Sequence, residues 1–424
     1  MEDTIANLYE KFKDSTGVNT DTRTISPNQM FFALKGDNFD GNLYADQALA
    51  AGASFAVIDN PEFLKDERYL LVDDVLDTLQ KLANHHRRQF KFPFLAITGS
   101  NGKTTTKELM ARALSDKFKV HYTKGNLNNH IGVPLTILDI HEYCDFAIIE
   151  MGANHLGDIA LLCQIAEPTH GLITNIGTAH IGEFGGKENI LRGKSELFDY
   201  LRMHGGTPFI NKLDPALVNM AKRFHHYVEF PNDDCKLIEA SPYIYYADND
   251  DHEHSTEIVG EYNYMNIAAA ITVAQHFEVG DPYNAIDMYQ PANNRSQIIE
   301  IGTNTVILDA YNANPDSMKA ALKNLSQMSG EKKIAMLGEM KELGEYAVEE
   351  HNKIVEEAET LGIKNLYLVG NEFKKASEFV NVLIDVDQLI EFLKEDKISG
   401  SIVLIKGSRS MQMERLVKSN EIWN

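Results

Sequence analysis

Short apolar runs that stop at a glycine or a polar residue, each followed by apolar positions three and four apart, recur from one end of the chain to the other. Phe94 to Thr98 form one such run; Gly99-Ser100-Asn101-Gly102-Lys103-Thr104 breaks it, and from Thr105 onward Leu109, Met110 and Ala113 fall at helical spacing. The predicted order there is strand, glycine loop, helix. Phe146 to Ile149 ends at Glu150-Met151-Gly152, and Gly171 to Ile176 ends at Gly177-Thr178-Ala179-His180. Nearer the start, Met30 to Leu34 ends at Lys35-Gly36, and a helix-like run through Tyr44, Ala48 and Leu49 leads to a strand over Ala53 to Ile58. After a break in composition from Tyr289 to Asn294 the alternation resumes. Thr305 to Leu308 ends at Asp309, a helix opens at Pro315, and Lys333 to Leu337, Leu366 to Val369 and Ile402 to Ile405 read as strands, with a helix from His351 to Leu361 between them. Alternating strand and helix predicts doubly wound parallel sheets. The reading is α/β, in three modules over residues 1–88, 89–292 and 293–424.

Several of these run ends carry chemistry. A strand, a glycine loop and a helix carrying Lys103 and Thr104 make a phosphate cradle: loop N–H groups and the helix N-terminus face the anion, Lys103 adds a full charge, and the Thr104 hydroxyl suits Mg²⁺. The full P-loop pattern has a glycine where Ile97 stands, so G-x-x-G-K-T also fits a plain glycine turn that opens a helix. In an open parallel sheet, ligands sit beyond the carboxyl ends of the strands, where Glu150 and His180 fall. Singly, each reads as an ordinary strand-end or turn residue; their shared position relative to Thr104 favours one metal–phosphate site. The loop from Thr123 to Pro134, with Asn126, Asn128 and Asn129, suits recognition of carboxylate, amide or phosphate, or is an ordinary turn cluster. Asn263 and Asn266, three apart at the start of an alanine-rich helix, can present paired amides to a flat heterocycle, with capping the alternative for Asn263. From spacing alone Lys194, on a predicted helix from Glu188 to Tyr200, is a solvated face residue, and Arg23 and Lys35 are surface charges. His252-Glu253-His254 lacks a defined spacing to other ligands, so that acidic, irregular stretch reads as an exposed loop or hairpin tip.

Composition narrows the function. The chain has 424 residues, with Lys+Arg 40 against Asp+Glu 62 and a net charge of -22. That balance argues against a nucleic-acid-binding protein, whose affinity comes mainly from neutralising phosphates. Cys144, Cys163 and Cys235 are odd in number and form no C-x-x-C, so buried thiols of a reducing compartment are expected. The N-terminal stretch is charged and no 18-residue apolar run occurs, which points to a cytoplasmic chain with no signal peptide and no membrane insertion.

In order, the residues also spell DTR, FFALKG, FDG, GSNGKTTTKE, TKGNLNNHIGVP, EMGANHLGDI, ITNIGTAHIGEFGGKENI, GKSELF, YNYMN, NNR, LDAYNANPDSM, LGEMKELG and LIKGSR. This series resembles the Mur ligases of peptidoglycan synthesis over nearly the whole chain. LDAYNANPDSM and GNLNNHIGVP point to the branch that adds D-alanyl-D-alanine to UDP-N-acetylmuramoyl-tripeptide, and the D-N-P-R-like segment expected of the branch adding the third amino acid is missing. The resemblance implies a small N-terminal UDP-binding domain, a central P-loop ATPase-like domain and a C-terminal Rossmann-like domain, acting as a monomer. It implies ATP-dependent amide synthesis through an acyl phosphate. Gly99, Ser100, Asn101, Gly102, Lys103, Thr104 and Thr105 then hold ATP. Two Mg²⁺ are expected, one at Thr104 and Glu150 and one at His180 and a carbamylated Lys194. Asn263 and Asn266 become adenine or nucleotide contacts, Arg295 a phosphate contact and Asp309 the ribose partner. Thr22, Arg23, Lys35 and Gly36 line the UDP-sugar pocket, with Asn128 and Asn129 also on the substrate side. Tyr311, Asn312, Asn314 and Arg409 close the site or bind the dipeptide, and the break near Pro291 is the expected hinge. Tyr262 and Asn42 stand where the family commonly has histidine. Another Mur ligase, a folylpolyglutamate-synthase-like ligase, and a nucleotide-binding regulatory protein without catalysis are the alternatives.

Overall fold

A computed structural model describes residues 2–291, 294–376 and 382–424; the expected boundary at Ala292 and Asn293 lies outside the described residues. Three parallel or largely parallel sheets follow one another along the chain. The first has four parallel strands in the order Val18–Asn19, Met30–Phe32, Phe55–Ile58, Tyr69–Leu71. The second has six, all parallel, in the order Val228–Phe230, Thr207–Asn211, His170–Ile173, Phe94–Thr98, Phe146–Glu150, Val120–Tyr122. In the third, Gln297–Ile301 pairs antiparallel with Asn304–Asp309, and Ile402–Lys406, Lys333–Gly338, Asn365–Val369 and Val382–Leu383 continue in parallel.

The central sheet explains why its strands read as unbroken apolar runs: both faces are covered. Phe94–Thr98 and Phe146–Glu150 are buried at every position. On one face lie the helices Lys103–Leu114 and Tyr264–His276, whose Leu109, Met110, Ile267 and Ile271 join Leu95, Ile97 and Ile148 in one cluster. The other face packs Ala96, Ala147 and Ile149 against Ile159, Leu197 and Phe198, and the same cluster runs on into Leu79, Leu82, Val57 and Phe12 of the first unit. The helix Val75–Arg87 makes that junction, lying on the helices Gly132–Leu138 and Asp158–Ala166. Arg87 fixes it. Its guanidinium stacks over Phe94 at 3.6 Å and donates to the carbonyls of Ala166 at 2.7 Å, Glu167 at 2.8 Å and Phe90 at 3.0 Å.

The acidic stretch of residues 248–254, expected as an exposed loop or hairpin tip, joins the last two strands of a three-stranded antiparallel sheet, Lys236–Glu239, Tyr243–Ala247 and Glu253–Val259. Only its turn around Asp250 and His252 is the expected hairpin tip. His254 lies on a strand, stacked between Tyr246 and Tyr283 and bonded to Asp287 at 2.8 Å. The three cysteines are buried and free, as expected.

In the last sheet Asp309 lies in register with Lys406, and the helix Pro315–Gln327 begins with a capping box of Asn314 and Ser317. His351, fully buried, accepts the Met340 N–H at Nε2 across 2.9 Å, and burial pushes its imidazolium form down. Burial does the same to His86 and His121. Each then binds fewer protons folded than unfolded, so its stabilisation is complete above the ordinary histidine value of about 6.5 and is lost as pH falls through the lower folded value. Thermal unfolding is therefore expected at a lower temperature at about pH 5 than at about pH 7.5, with a smaller difference in His351→Gln. A midpoint unchanged between those conditions would refute it.

Candidate active site

Three strand ends meet at the carboxyl edge of the central sheet: Thr98 pairs in register with Ile173, and Ile97 with Glu150. Gly102 turns the chain with φ 81°, in the left-handed region, and Lys103–Leu114 starts without a side-chain cap, which leaves its first N–H groups for an anion. A β-carbon on Gly102 would stand 2.6 Å from Asn266 Oδ1, so the turn needs a residue without a side chain. The loop is braced from the neighbouring strand end. Asn175 O accepts from Ser100 N at 3.0 Å, Asn175 Oδ1 from Asn101 N at 3.1 Å, and Ser100 Oγ from Gly177 N at 2.9 Å. Lys103 folds back, its ammonium donating to Gly99 O at 2.6 Å and Ser100 O at 3.3 Å, and burial lowers its pKa. Thr105 follows, half-buried, in the first turn.

The expected first metal pair is in contact. Thr104 Oγ1 donates to Glu150 Oε1 at 3.2 Å, and the same oxygen accepts from Asn128 Nδ2 at 2.8 Å. Glu150 Oε2 is buried without a hydrogen-bond partner and faces the Lys107 ammonium at 3.2 Å; both side chains are nearly sealed from solvent. A hydroxyl beside a carboxylate is the hard-oxygen donor set that Mg²⁺ prefers, although here Glu150 Oε2 is ion-paired with Lys107. Lys107 was missed by the sequence reading, although it falls three residues after Thr104 and so on the same helix face.

The second expected pair is not brought into contact. His180 Nδ1 lies 2.8 Å from Glu342 and 3.2 Å from Glu183. These are the described residues whose ligand atoms cluster within 4.8 Å as a metal site would require; neither glutamate was singled out from the sequence, although Glu183 lies within ITNIGTAHIGEFGGKENI and Glu342 within LGEMKELG. Lys194 is 1% exposed, so its reading as a solvated helical lysine is overturned. Its bond to Ala153 O is long, 3.4 Å, and its ammonium lies 5.4 Å from the Phe184 ring centre. Burial, with the Lys103 charge adding to it, pushes the Lys194 ammonium well below the ordinary lysine range.

The last unit reaches over the loop. Arg295 donates to Thr104 Oγ1 at 3.2 Å while stacking on Tyr311 at 3.7 Å, and Asn314 Nδ2 donates to Asn101 Oδ1 at 2.7 Å. Asp316, unmarked in the sequence reading, accepts from the backbone and hydroxyl of Thr178 at 2.6 and 2.8 Å. Tyr262 bonds Ser296 at 2.8 Å.

Other expected residues have inward partners. Asn266 donates to Asn263 at 2.7 Å and accepts from Thr106 at 2.9 Å, and Asn263 donates to Val259 O at 2.8 Å. This amide pair therefore stands behind the loop, and neither amide caps the helix. Asp309 pairs with buried Lys406, and Asn312 Oδ1 accepts from Ala313 N at 2.9 Å. Arg409 is exposed, 3.6 Å from Glu414 and 5.8 Å from the Tyr311 ring centre. Asn129 Oδ1 accepts from Gly132 N at 2.8 Å. In the first unit Arg23 is exposed and clamped by Asp21 beside Thr22, and Lys35, next to Gly36, pairs with Asp59 at 2.7 Å. Asn42 joins that group by donating to Asp40 and Asp59 at 2.7 and 2.8 Å. None of these first-unit residues bonds to the glycine loop among the described residues.

Comparison with known proteins agrees with this arrangement. Residues 14–90 match the model of the Mur ligase family catalytic domain, 97–274 that of the Mur ligase middle domain, and 294–409 that of the Mur ligase glutamate ligase domain. A UDP-N-acetylmuramoyl-tripeptide--D-alanyl-D-alanine ligase of Synechocystis is 36% identical, over 97% of this chain and 93% of the relative. One of the same description from Bacillus subtilis is 32% identical, over 99% and 96%. The crystal structure of MurF from Acinetobacter baumannii superposes with a TM-score of 0.87 at 28% identity, covering 97% of this chain and 98% of that one. MurF ligase from Thermotoga maritima in complex with ADP gives 0.85 at 28% identity, over 96% and 97%. Likeness on this scale, carried through all three units in sequence and in fold, means that the chain belongs to the Mur ligase family.

Proposed function

We infer that the chain is an ATP-dependent amide ligase that joins D-alanyl-D-alanine to UDP-N-acetylmuramoyl-tripeptide, giving the pentapeptide precursor of peptidoglycan. The observation that carries this reading is the convergence of Lys103, Thr104 and Glu150 with Arg295 and Asn314 of the last unit at one phosphate cradle. The relatives that match over nearly their full length are described as ligases of this substrate pair.

The chemistry has two displacements. A carboxylate oxygen of the tripeptide attacks the γ-phosphorus of ATP, ADP leaves, and an acyl phosphate results. The dipeptide amine then attacks the acyl carbon, loses its proton, and phosphate leaves as the amide forms. The first displacement brings two anions together, so the site must hold them in line and offset their repulsion. Lys103, the loop N–H groups and Arg295 do this for the phosphates. Mg²⁺, held by Thr104 and Glu150, would add charge neutralisation. Asn263 and Asn266 support the nucleotide side by buttressing Gly102. Asp309, which accepts from Lys406 on Oδ2 and from the Ser296 N–H on Oδ1 at 3.3 Å, is the ribose partner. Thr22, Arg23, Lys35 and Gly36 receive the UDP end, Asn128 and Asn129 flank the tripeptide, and Tyr311, Asn312, Asn314 and Arg409 take the dipeptide side.

As an amine, Lys194 does not fit a cation site. As a carbamate it would, sharing a second Mg²⁺ with His180, and its burial favours the neutral amine that reacts with CO₂. The three units correspond to residues 1–88, 89–292 and 293–424, with the hinge near Pro291. The chain acts as a monomer in the cytoplasm, where ATP and UDP-sugars are available, and binds no nucleic acid. No helix among the described residues is long and apolar enough to cross a membrane.

Release of phosphate from ATP is expected only when both UDP-muramoyl-tripeptide and D-alanyl-D-alanine are present. A panel of tripeptides differing in the third residue extends the assay to that choice. Equal release with either substrate alone, or none with both, overturns the reading.

A further inference from the structure

Three cationic side chains and one carboxylate crowd the Thr104 hydroxyl. Lys103 precedes it in the chain, Arg295 donates to its oxygen at 3.2 Å, and Lys107 stands three residues on, along the same face of the helix Lys103–Leu114. The carboxylate is Glu150, whose Oε1 accepts from the Thr104 hydroxyl at 3.2 Å and from the Asn128 amide at 2.8 Å. Its Oε2 accepts no hydrogen bond among the described residues and faces the Lys107 ammonium at 3.2 Å. Lys107 has three N–H groups to place, and beyond that carboxylate oxygen its described hydrogen bond is a long one of 3.5 Å to Gly125 O. The two side chains are 1% and 2% exposed. A buried ion pair with so few further partners is a poor device for stability, because desolvation cancels much of its attraction.

The pair has another consequence. In a chain of net charge -22, the neighbourhood of Thr104 and Glu150 carries a local surplus of positive charge, and such a surplus repels a lone divalent cation. A triphosphate brings its own negative charge, so a cation arriving with it meets a balance that a bare cation does not. We propose that Lys107 is a positioning residue acting through Glu150: it is the resident counter-charge of that carboxylate when no nucleotide is bound, and by holding Oε2 it keeps a bare divalent cation off Thr104 and Glu150, so that metal enters only together with the nucleotide. The use of this cation in amide synthesis rests on the ligase reading. The competition of one ammonium with a divalent cation for one carboxylate does not.

The test is binding of Mn²⁺, a probe that takes the same hard oxygen ligands as Mg²⁺, measured on the full chain by electron paramagnetic resonance of the free ion, with and without a non-hydrolysable ATP analogue. The wild type is expected to bind Mn²⁺ weakly alone and more tightly with the analogue. Lys107→Met and Lys107→Gln should bind Mn²⁺ alone about tenfold or more tightly than the wild type, the size of the repulsion between a unit and a divalent charge a few ångströms apart even at the dielectric of water, and should gain less from the analogue. Lys107→Gln keeps an N–H donor for Oε2, so it decides the matter if the methionine variant does not fold. Lys107→Arg keeps the charge and should behave as the wild type, and adding Glu150→Gln to Lys107→Gln should erase the gain. An ion pair with a purely structural role would leave Mn²⁺ affinity unchanged or lower it when broken. Equal Mn²⁺ affinity in wild type and Lys107→Gln overturns the proposal, as does an equal gain in Lys107→Arg or a gain that survives Glu150→Gln. If the protein proves not to be this ligase, turnover is absent in every sample while the comparison of Mn²⁺ binding without nucleotide still decides the role of Lys107.

Discussion

Lys103→Ala is expected to lower kcat for ADP formation by about 10²–10³-fold or more, the range seen when one preorganised donor to developing charge is removed, while thermal stability stays close to wild type. The two expectations have separate causes. Lys103 is the charged group on the loop itself, held by the carbonyls of Gly99 and Ser100. Under the proposed function those contacts would be exchanged for phosphoryl oxygens of ATP, so the ammonium would act only with the nucleotide in place. For the empty fold the residue is a partly desolvated cation, and burial already lowers its pKa. Replacing it relieves that cost as it removes two hydrogen bonds to loop carbonyls, and the opposing changes are each of the order of about 1–3 kcal/mol. Steady-state ADP release and a melting curve on the same sample separate the effects. Turnover near wild type would remove the phosphate cradle from the mechanism, whereas loss of the fold would reassign Lys103 to a structural role.

Lys194→Ala should abolish most turnover for a different reason, and the loss should be partly reversible. An unpaired ammonium at 1% exposure with one long hydrogen bond is a poor use of a buried position. The same place disfavours the charged amine, through burial and through Lys103, and so favours the neutral form that reacts with CO₂. A carbamate would convert a cation into an anion at the end of the same side chain, and under the proposed function it is that anion the second cation site would use. Alanine leaves a gap of about the side chain's size, so acetate or formate should restore activity several-fold in the variant and leave the wild type unchanged. Depleting CO₂ should lower wild-type turnover and spare the alanine variant. Full activity of Lys194→Ala without added carboxylate would eliminate the carbamate.

Much of the central unit was legible in the sequence because its strands are buried on both faces. Such strands appear as uninterrupted apolar runs, and the residue ending each run lies at the ligand edge of the sheet; this is why Thr104 and Glu150 could be paired before any coordinates. The antiparallel sheet of residues 236–259 escaped notice because its exposed positions mix charged with apolar residues, Lys236 and Glu239 with Leu237 and Ile238. Lys236–Glu239 is exposed throughout, and Glu253–Val259 alternates exposed with buried residues, so composition masked the alternation. Lys194 showed the reverse failure: one helix face gives no warning that a second helix and a loop will close over it. Lys107 could have been found from its three-residue spacing to Thr104. Glu342 and Asp316 fall within LGEMKELG and LDAYNANPDSM, but their partners were not legible, since His180 and Thr178 lie 162 and 138 positions away and only the docking of separate units joins them. Asp309 and the amides of Asn263 and Asn266 show the limit of reading roles from a motif. The motif marks the residues, and the structure gives them partners within the protein before any ligand is considered.

The apolar cluster that runs without a break from Phe12 through Leu79 to Leu197 has a mechanical meaning. The first two units share an interior, so prising them apart would wet a continuous core. The last unit, by contrast, is attached mainly through hydrogen bonds and ion pairs, which water can replace, with Ile181 as an apolar contact. The chain's three units thus divide as an anvil of two fused pieces and a single hammer. Under the proposed function, a substrate held by the first unit would therefore be held rigidly against the glycine loop, and opening of the site would be expected at the third unit.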